Sequence, residues 1–587
     1  MLHHAGRFVA TVALYVALVV WLTWPLARNV STHLPATILP CDFDLLYMGS
    51  ILAHESRALA AWGKGFTDFP IFHPARGALF YGDTGFGALP YFMPVFLASG
   101  NPTLALNLLF IGCVALSAAA LHEVARCWTG LWLAGLVAGV TFLTTRWVLW
   151  NFIPGAPSYS VLQYFPFVIA LSAAPPRSAS AALLLASLIV VQCLTDVVYV
   201  AGAVLTPLLL LSLVRLARRS TRASGGWTLA AVGVAALLLS PIYVQHVRAR
   251  AALGSGASTA WTLAMIPYFD RLPSDLRGLL APTAIPAAAL VLIAVGTGVQ
   301  LLSRSRSLYR RVWLNAAFWA VVGCYISLKP VVYLGRIRFA LPPQQLLANL
   351  TFYSVVRVPM RLGVASLMGL ALLAALAFAA CTNAIEQRLR SPSTARAASG
   401  MLALATLAAM YASYDTGILN SSPHDKKALP PVYPLAEAIN SDSPLMQILG
   451  RTRGPLLEVP ASDRGPMQLG ENARAMYRAI FHRHPVLNGY SSYAPDTFPT
   501  TIALAARLPD AAALQGLVEH TGLEYILVHL DELQGNRGSA WRLTAKERAR
   551  TDLWPVVRWG GDLLFAVAQP PAAELAPAGG RDDGQAP

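Results

Sequence analysis

Directly after the first long apolar run, the residues Pro40, Cys41, Asp42, Phe43 and Asp44 set two carboxylates one residue apart. Carboxylates of this kind do two sorts of chemistry: they donate oxygens to Mg or Mn, or they take a proton from a hydroxyl as a general base. Farther along the same segment stand His54, Glu55, Asp68, His73 and Asp83. A short helix starting near Asp44 would hold that acid in its first turn, where the helix dipole favours negative charge. The competing reading is a helix cap or a solvated acid, and for an isolated pair the two readings weigh equally.

A second polar segment carries Lys329, Pro330, Gly335, Arg336, Ile337 and Arg338, then Arg357, Val358, Pro359, Met360 and Arg361. Guanidinium forks match phosphate oxygens bidentately, whereas a single arginine beside a membrane often only snorkels to the headgroups. Taken as a set, Arg336, Arg338, Arg357 and Arg361 favour a phosphate site. Asp196 and Gln163 stand at span ends, where Asp196 either lines a cavity or caps a helix. The tail offers Glu458, His482, His484, Asn488, Tyr490, His529 and Asp531. Its His-x-His is weak evidence for metal, because spacing fixes no third ligand. There is no P-loop, dinucleotide turn, zinc-protease helix motif or nucleophile elbow, which argues against an ATP-driven pump.

The elements that must position these groups follow from composition. With 587 residues, 56% hydrophobic and 12% charged, and a mean hydropathy of +0.52, the chain is far from the quarter charged residues typical of soluble domains. It reads as a polytopic all-α transmembrane bundle of about eleven spans, the first from Phe8 to Leu26. A large external loop, 27–85, follows it, and a short Pro-broken piece, Phe86 to Ala98, reads as re-entrant or interfacial. The net charge of +15 is spread over loops, so it points to membrane orientation and not to nucleic acid. Arg215, Arg218, Arg219 and Arg222 form one basic loop. Arg304, Arg306, Arg310 and Arg311 form a second, and Arg388, Arg390 and Arg396 a third; the positive-inside rule makes all three cytoplasmic. An odd span number then leaves the N-terminus inside and the C-terminus outside. The transmembrane domain occupies 1–417. A small α/β domain follows at 418–569, with strands over Leu456 to Val459, Tyr525 to His529, Val556 to Arg558 and Leu563 to Val567, and a helix over Asp510 to Glu519. The stretch 570–587 has the composition of a disordered tail.

Several short stretches resemble bacterial membrane glycosyltransferases of the GT-C superfamily. They are Phe43, Asp44, Leu45, Leu46; Phe69 through Pro74; Tyr81, Gly82, Asp83; Asn101, Pro102 and Asn107; Leu341, Pro342; and Val356 through Arg361. The tail adds Leu457, Glu458, Val459, Pro460, then His484 through Tyr490, and Tyr525 through His529. The resemblance implies a GT-C-like multi-pass protein of the bacterial inner membrane with a periplasmic C-terminal domain. Its implied reaction is inverting transfer of a sugar from a polyprenyl-phosphate donor to a glycan, lipid or protein acceptor. It also implies Asp44 as base or Mg/Mn ligand, with Asp42 or Asp83 as the second acid and Asp42 as the companion metal ligand. Arg336, Arg338, Arg357, Arg361 and His73 would bind substrate. The alternatives are a non-enzymatic glycolipid transporter, or flippase, and a polysaccharide assembly protein. The transporter would need polar residues along a path through the bundle, and the sequence has few.

Overall fold

The computed structural model of the chain describes residues 2–37, 42–253, 285–302, 307–328, 331–334, 337–340, 356, 358–389, 391–415, 432–439, 443–462, 466–533, 537–546 and 550–567. They fall into two units that do not follow chain order. Met1–Leu39, Thr84–Gln245 and Met265–Glu437 make the first; Pro40–Asp83, His246–Ala264 and Ala438–Pro587 make the second.

The first unit is a helical bundle. Numbered through the whole chain, the helices begin with α1 (Leu2–Leu22), α2 (Phe43–Ala60), which belongs to the second unit, α3 (Leu89–Ser99), α4 (Pro102–Thr129) and α5 (Trp132–Leu143). Then come α6 (Phe165–Ala173), α7 (Ala179–Cys193), α8 (Tyr199–Ala217), α9 (Arg222–Ala252), α10 (Ala287–Leu302), α11 (Ser307–Ser327), α12 (Val364–Arg388) and α13 (Pro392–Asp415). Among the described residues, five of these, α4, α8, α9, α12 and α13, lie in segments long and apolar enough to cross a membrane. A sixth crossing is available if α5 and the turns after it, bent by 49°, count as one span, and four shorter apolar helices accompany them. The apolar run from Leu131 to Trp150 is broken at Thr144, where Thr144 and Thr145 turn their hydroxyls back onto the carbonyls of Val140 and Thr141. The piece expected to be re-entrant, Phe86 to Ala98, contains α3, only 11 residues long with Pro94 inside it.

Local signals set the helix ends. Asn101 accepts a hydrogen bond from the Leu104 amide at 2.9 Å and Pro102 takes the first helical position, so α4 starts there. It stops at Gly130, whose φ of 75° is a left-handed cap. The centre of the bundle is α12, which is buried almost throughout from Val364 to Ala380. Small residues let α11 approach it: a Cβ on Gly369 would lie 2.5 Å from the Ala320 amide nitrogen and 2.8 Å from the Ala316 carbonyl oxygen. Such close backbone contact is how apolar helices associate where lipid removes the hydrophobic gain. Strand β1 (His33–Pro35) pairs antiparallel with β4 (Leu435–Glu437), and β2 (Val331–Leu334) with β3 (Ile337–Ala340).

The second unit is an α/β domain. Its helices are α2 and α14 (Pro444–Leu449), α15 (Pro466–His482), α16 (Phe498–Ala505), α17 (Ala511–Thr521) and α18 (Arg537–Lys546). Strands β5 (Leu456–Val459), β6 (Tyr525–His529), β7 (Trp554–Trp559) and β8 (Asp562–Ala566) form one sheet in the order β5-β6-β8-β7. β5 and β6 are parallel; the other pairings are antiparallel. Two extended segments continue the sheet beyond β5. The Leu456 amide bonds to Pro485 O and the Leu487 amide to Leu456 O, both at 2.9 Å. In turn the Val486 amide bonds to Pro70 O at 3.0 Å, and the amides of Phe72 and His73 bond to Asn488 O and Val486 O. The segment expected to be an external loop thus supplies both a helix and the outermost strand-like piece of this sheet.

Candidate functional site

Asp42 is the residue just before helix α2, whose 18 residues run beside α15. The pairing is fixed at the far end, where the Arg57 guanidinium donates to Ile480 O at 2.6 Å. This orientation leaves Asp44 in the first turn of α2, where its Oδ1 accepts the Tyr490 hydroxyl at 2.6 Å. A hydrogen bond to a carboxylate is worth about 1.5–3 kcal/mol. Tyr490 is held in place by its neighbours in sequence. Asn488 donates to Glu458 O and accepts from the Glu458 amide, at 2.9 and 2.8 Å, and so clamps the segment to β5. Gly489 lies against the Phe72 ring, with its would-be Cβ 2.6 Å from Cγ and closer still to the ring edge. Tyr490 then packs edge-on to Phe43 and Tyr47, at 5.2 and 5.5 Å between ring centres.

Around Tyr47 the acids of the first segment come together. Its hydroxyl pairs with Ser491 Oγ at 3.0 Å. Burial first, then the charges of Asp83, Asp44 and Glu55, hold the phenol far above its ordinary value, so it stays a proton donor. Gly82 is seated on this pair, its would-be Cβ 2.6 Å from Ser491 Oγ, which delivers Asp83 to the same place. Glu55 lies 11 residues beyond Asp44, three helical turns along the same face. It is fully buried, neither carboxyl oxygen has a hydrogen-bond partner among the described residues, and burial holds it well above the usual carboxylate range.

Asp42 and Asp44 behave differently. Residues two apart on a helix project to opposite sides, and Asp42 faces α15, where burial raises its carboxyl and Arg474 partly offsets that. No group of three or more His, Cys, Asp or Glu able to hold a metal occurs among the described residues. Nor does the His-x-His gather a metal: His484 bonds Gly454 O, Leu449 O and the Thr452 hydroxyl at 2.7–2.9 Å. His73 lies in the outer extended segment, its ring near the Thr521 backbone and lowered by burial.

Glu458, clamped to Asn488, also anchors a buried ionic cluster whose members have no regular spacing. Glu458 Oε2 receives Arg478 Nε and Nη2, both at 2.6 Å, and His529 Nε2 at 3.1 Å. His529 Nδ1 meets Asp562 Oδ1 at 2.8 Å. Burial pushes Glu458 up, but Arg478, His482 and His529 outweigh it and hold the carboxyl well below its usual range. Burial and Arg478 push His529 down; Asp562 and Glu458 prevail and hold it above. This cluster joins α15 to β5, β6 and β8.

Of the arginines, Arg336 and Arg357 lie outside the described residues, and Arg338 is placed only by its backbone in β3, opposite Tyr333. Arg361 belongs to the first unit, in the turn before α12. Its guanidinium sits 4.7 Å from the Phe152 ring centre and 5.1 Å from that of Tyr199, cation–π contacts of about 0.5–2 kcal/mol. Tyr199 is set by Asp196, which accepts the Val198 and Tyr199 amides at 2.7 and 2.6 Å and the Tyr159 hydroxyl. Asp196 thus caps α8. Asp44 and Asp83 both act on Tyr47, and Tyr47, Ser491, Arg478 and Asp562 are the partners missed; Ser491 lies 444 residues from the Tyr47 that it bonds.

The chain shares its fold with a solved arabinofuranosyltransferase. Among solved structures it is similar to the arabinofuranosyltransferase AftD from Mycobacteria, with 15% identity and a TM-score of 0.58 over 96% of this chain. The chain spans 40% of AftD's length. It is also similar to ArnT from Cupriavidus metallidurans, with 16% identity and a TM-score of 0.47 over 98% of this chain and 100% of that one. No protein-family model and no curated protein sequence matches the chain.

Proposed function

We propose that the protein is a glycosyltransferase of the bacterial inner membrane, its α/β domain on the periplasmic face, that moves a sugar from a polyprenyl-phosphate donor to a cell-envelope hydroxyl. The observation that carries this reading is Asp44, a carboxylate at the start of α2 oriented by Tyr490, in a chain with the GT-C fold. Asp44 takes the proton of the acceptor hydroxyl. The acceptor oxygen forms its bond to the anomeric carbon from the face opposite the phosphate. The bond from that carbon to the phosphate oxygen breaks, and the electron pair leaves with polyprenyl phosphate. Stereochemistry inverts in one displacement. Asp83 supplies a second negative group beside Tyr47.

Mass spectrometry of cell-surface glycans tests this in cells lacking the protein, complemented with wild type or with Asp44→Asn. Asparagine keeps the shape and still accepts from Tyr490, but it is no base. The expected result is a sugar restored by wild type and absent with Asp44→Asn at equal membrane level; full restoration by the variant would refute the assignment.

A further inference from the structure

We propose that the helical unit contains a second site, at its arginine-rich end, that binds the phosphate headgroup of an anionic lipid. A cavity of about 910 Å³ opens where the ends of α6 and α8 meet the starts of α9 and α11. That size lies within the range of small-ligand sites. Arg177, Arg215, Arg218, Arg310 and Arg311 line it, and no Asp or Glu does. None of the five is in an ion pair among the described residues. Five cations around one concavity repel one another unless an anion joins them.

The floor of the cavity is built. Arg215 Nη2 donates to Ser172 O at 2.5 Å, while its Nη1 is buried with no hydrogen-bond partner among the described residues. The Ser172 hydroxyl donates to Asn315 Oδ1 at 3.1 Å and accepts from Trp319 Nε1 at 2.9 Å. Asn315 Nδ2 returns to Ile169 O at 3.1 Å. These bonds lock α6 to α11 and leave one guanidinium nitrogen pointing at an acceptor that the protein does not supply.

The mouth of the cavity favours a lipid over a soluble phosphate ester. On α8, Leu210, Leu213 and Val214 are exposed, and on α9 so is Trp227, which lines the mouth with Val214. An apolar surface beside a cationic cavity suits acyl chains attached to a phosphate, and tryptophan favours the headgroup level of a bilayer. Basic pockets between membrane helices at the positively charged end take anionic headgroups for this reason.

The test uses the full chain in nanodiscs with equal phosphatidylglycerol and phosphatidylcholine, released for native mass spectrometry to count bound lipid. Wild type is expected to retain phosphatidylglycerol preferentially. Each arginine at such a site contributes about fivefold. The combined variant Arg218→Gln, Arg310→Gln, Arg311→Gln should therefore lose the preference by up to about a hundredfold, while the matching Arg→Lys variant keeps most of it. A Gln variant with the wild-type preference overturns the proposal. Displacement of phosphatidylglycerol by millimolar inorganic phosphate overturns the lipid assignment in favour of a soluble phosphate ester. Should the triple variant fail to fold, Arg218→Gln alone, at an exposed position, must show the fivefold loss, and its absence overturns the proposal equally.

Discussion

The seat of Tyr490 on Asp44 depends on one glycine, and Gly489→Ala probes it. The new methyl would lie 2.6 Å from Phe72 Cγ and nearer still to two ring carbons, where contacting carbons rest at about 3.5–4.0 Å. The ring or the segment must retreat by about 1 Å. Overpacking of this kind costs about 1–3 kcal/mol. Loss of glycine's freedom in the unfolded chain returns about 0.4–1 kcal/mol, which leaves a net loss of about 1–2 kcal/mol. Phe72→Leu removes the obstructing ring at its own cost. If Phe72 and Gly489 touch as described, the double variant will be more stable than the sum of the singles predicts, with a coupling of about 1 kcal/mol. Denaturant unfolding of the full chain in detergent, followed by tryptophan fluorescence, measures the cycle. Additivity within about 0.3–0.5 kcal/mol would refute the contact, and with it the path by which the sheet delivers Tyr490 to Asp44.

Tyr490→Phe deletes the donor to Asp44 and should cost about 1.5–3 kcal/mol of orientation; glycan transfer is expected to fall by tenfold or more while the level of folded protein in the membrane holds. Glu458→Gln strips Arg478 and His529 of their counter-charge and should destabilise the α/β domain by about 3–5 kcal/mol at neutral pH. Because the Glu458 carboxyl is lowered in the fold, its stabilisation is present above its unfolded value near 4.5 and fades as acid titrates the folded group. The penalty of the variant should therefore shrink toward low pH in melting curves. Glu55 has the opposite sign. Its raised carboxyl makes the fold bind a proton that the unfolded chain releases above about pH 4.5, so stability falls with rising pH by about 1.4 kcal/mol per unit until the folded group titrates. Glu55→Gln should raise the melting temperature at pH 8 and leave it unchanged at pH 4; an equal effect at both would contradict this account.

The strands of the tail were legible because buried β-branched and leucine runs bounded by turn residues admit few other readings. Leu456–Val459 and Tyr525–His529 are β5 and β6 to the residue, and Asp510 caps α17 through the Ala513 amide. For α2 a short helix near Asp44 was expected, and its full length of 18 residues was not. Its sequence mixes Ser, His, Glu and Gly with apolar residues, and it is buried by α15, so its periodicity is not that of a surface helix. Within the candidate site, Asp44 and Asp83 were singled out by position and residue type, and both place charge beside Tyr47. Asp42 and Asp44 were read as a pair from their one-residue spacing along the chain, whereas a helix turns side chains two apart to different sides. The Glu458 cluster was hidden because sheet order, and no sequence interval, brings Arg478, His529 and Asp562 to one carboxylate.

The outer piece of the sheet comes from the first hundred residues and its partner from the last hundred and fifty. Pro70, Phe72 and His73 can dock only when Val486 and Asn488 exist. While the ribosome makes the intervening helices, α2 and the segment after it wait with Phe69, Ile71 and Phe72 uncovered. Such a long-range closure is slow and leaves an unpaired edge open to wrong partners. Removing the tail would therefore do more than take away an appendage: it would orphan Asp44 of its tyrosine and α2 of the helix beside it. A truncation experiment on this chain reports on the maturation of the site at its other end.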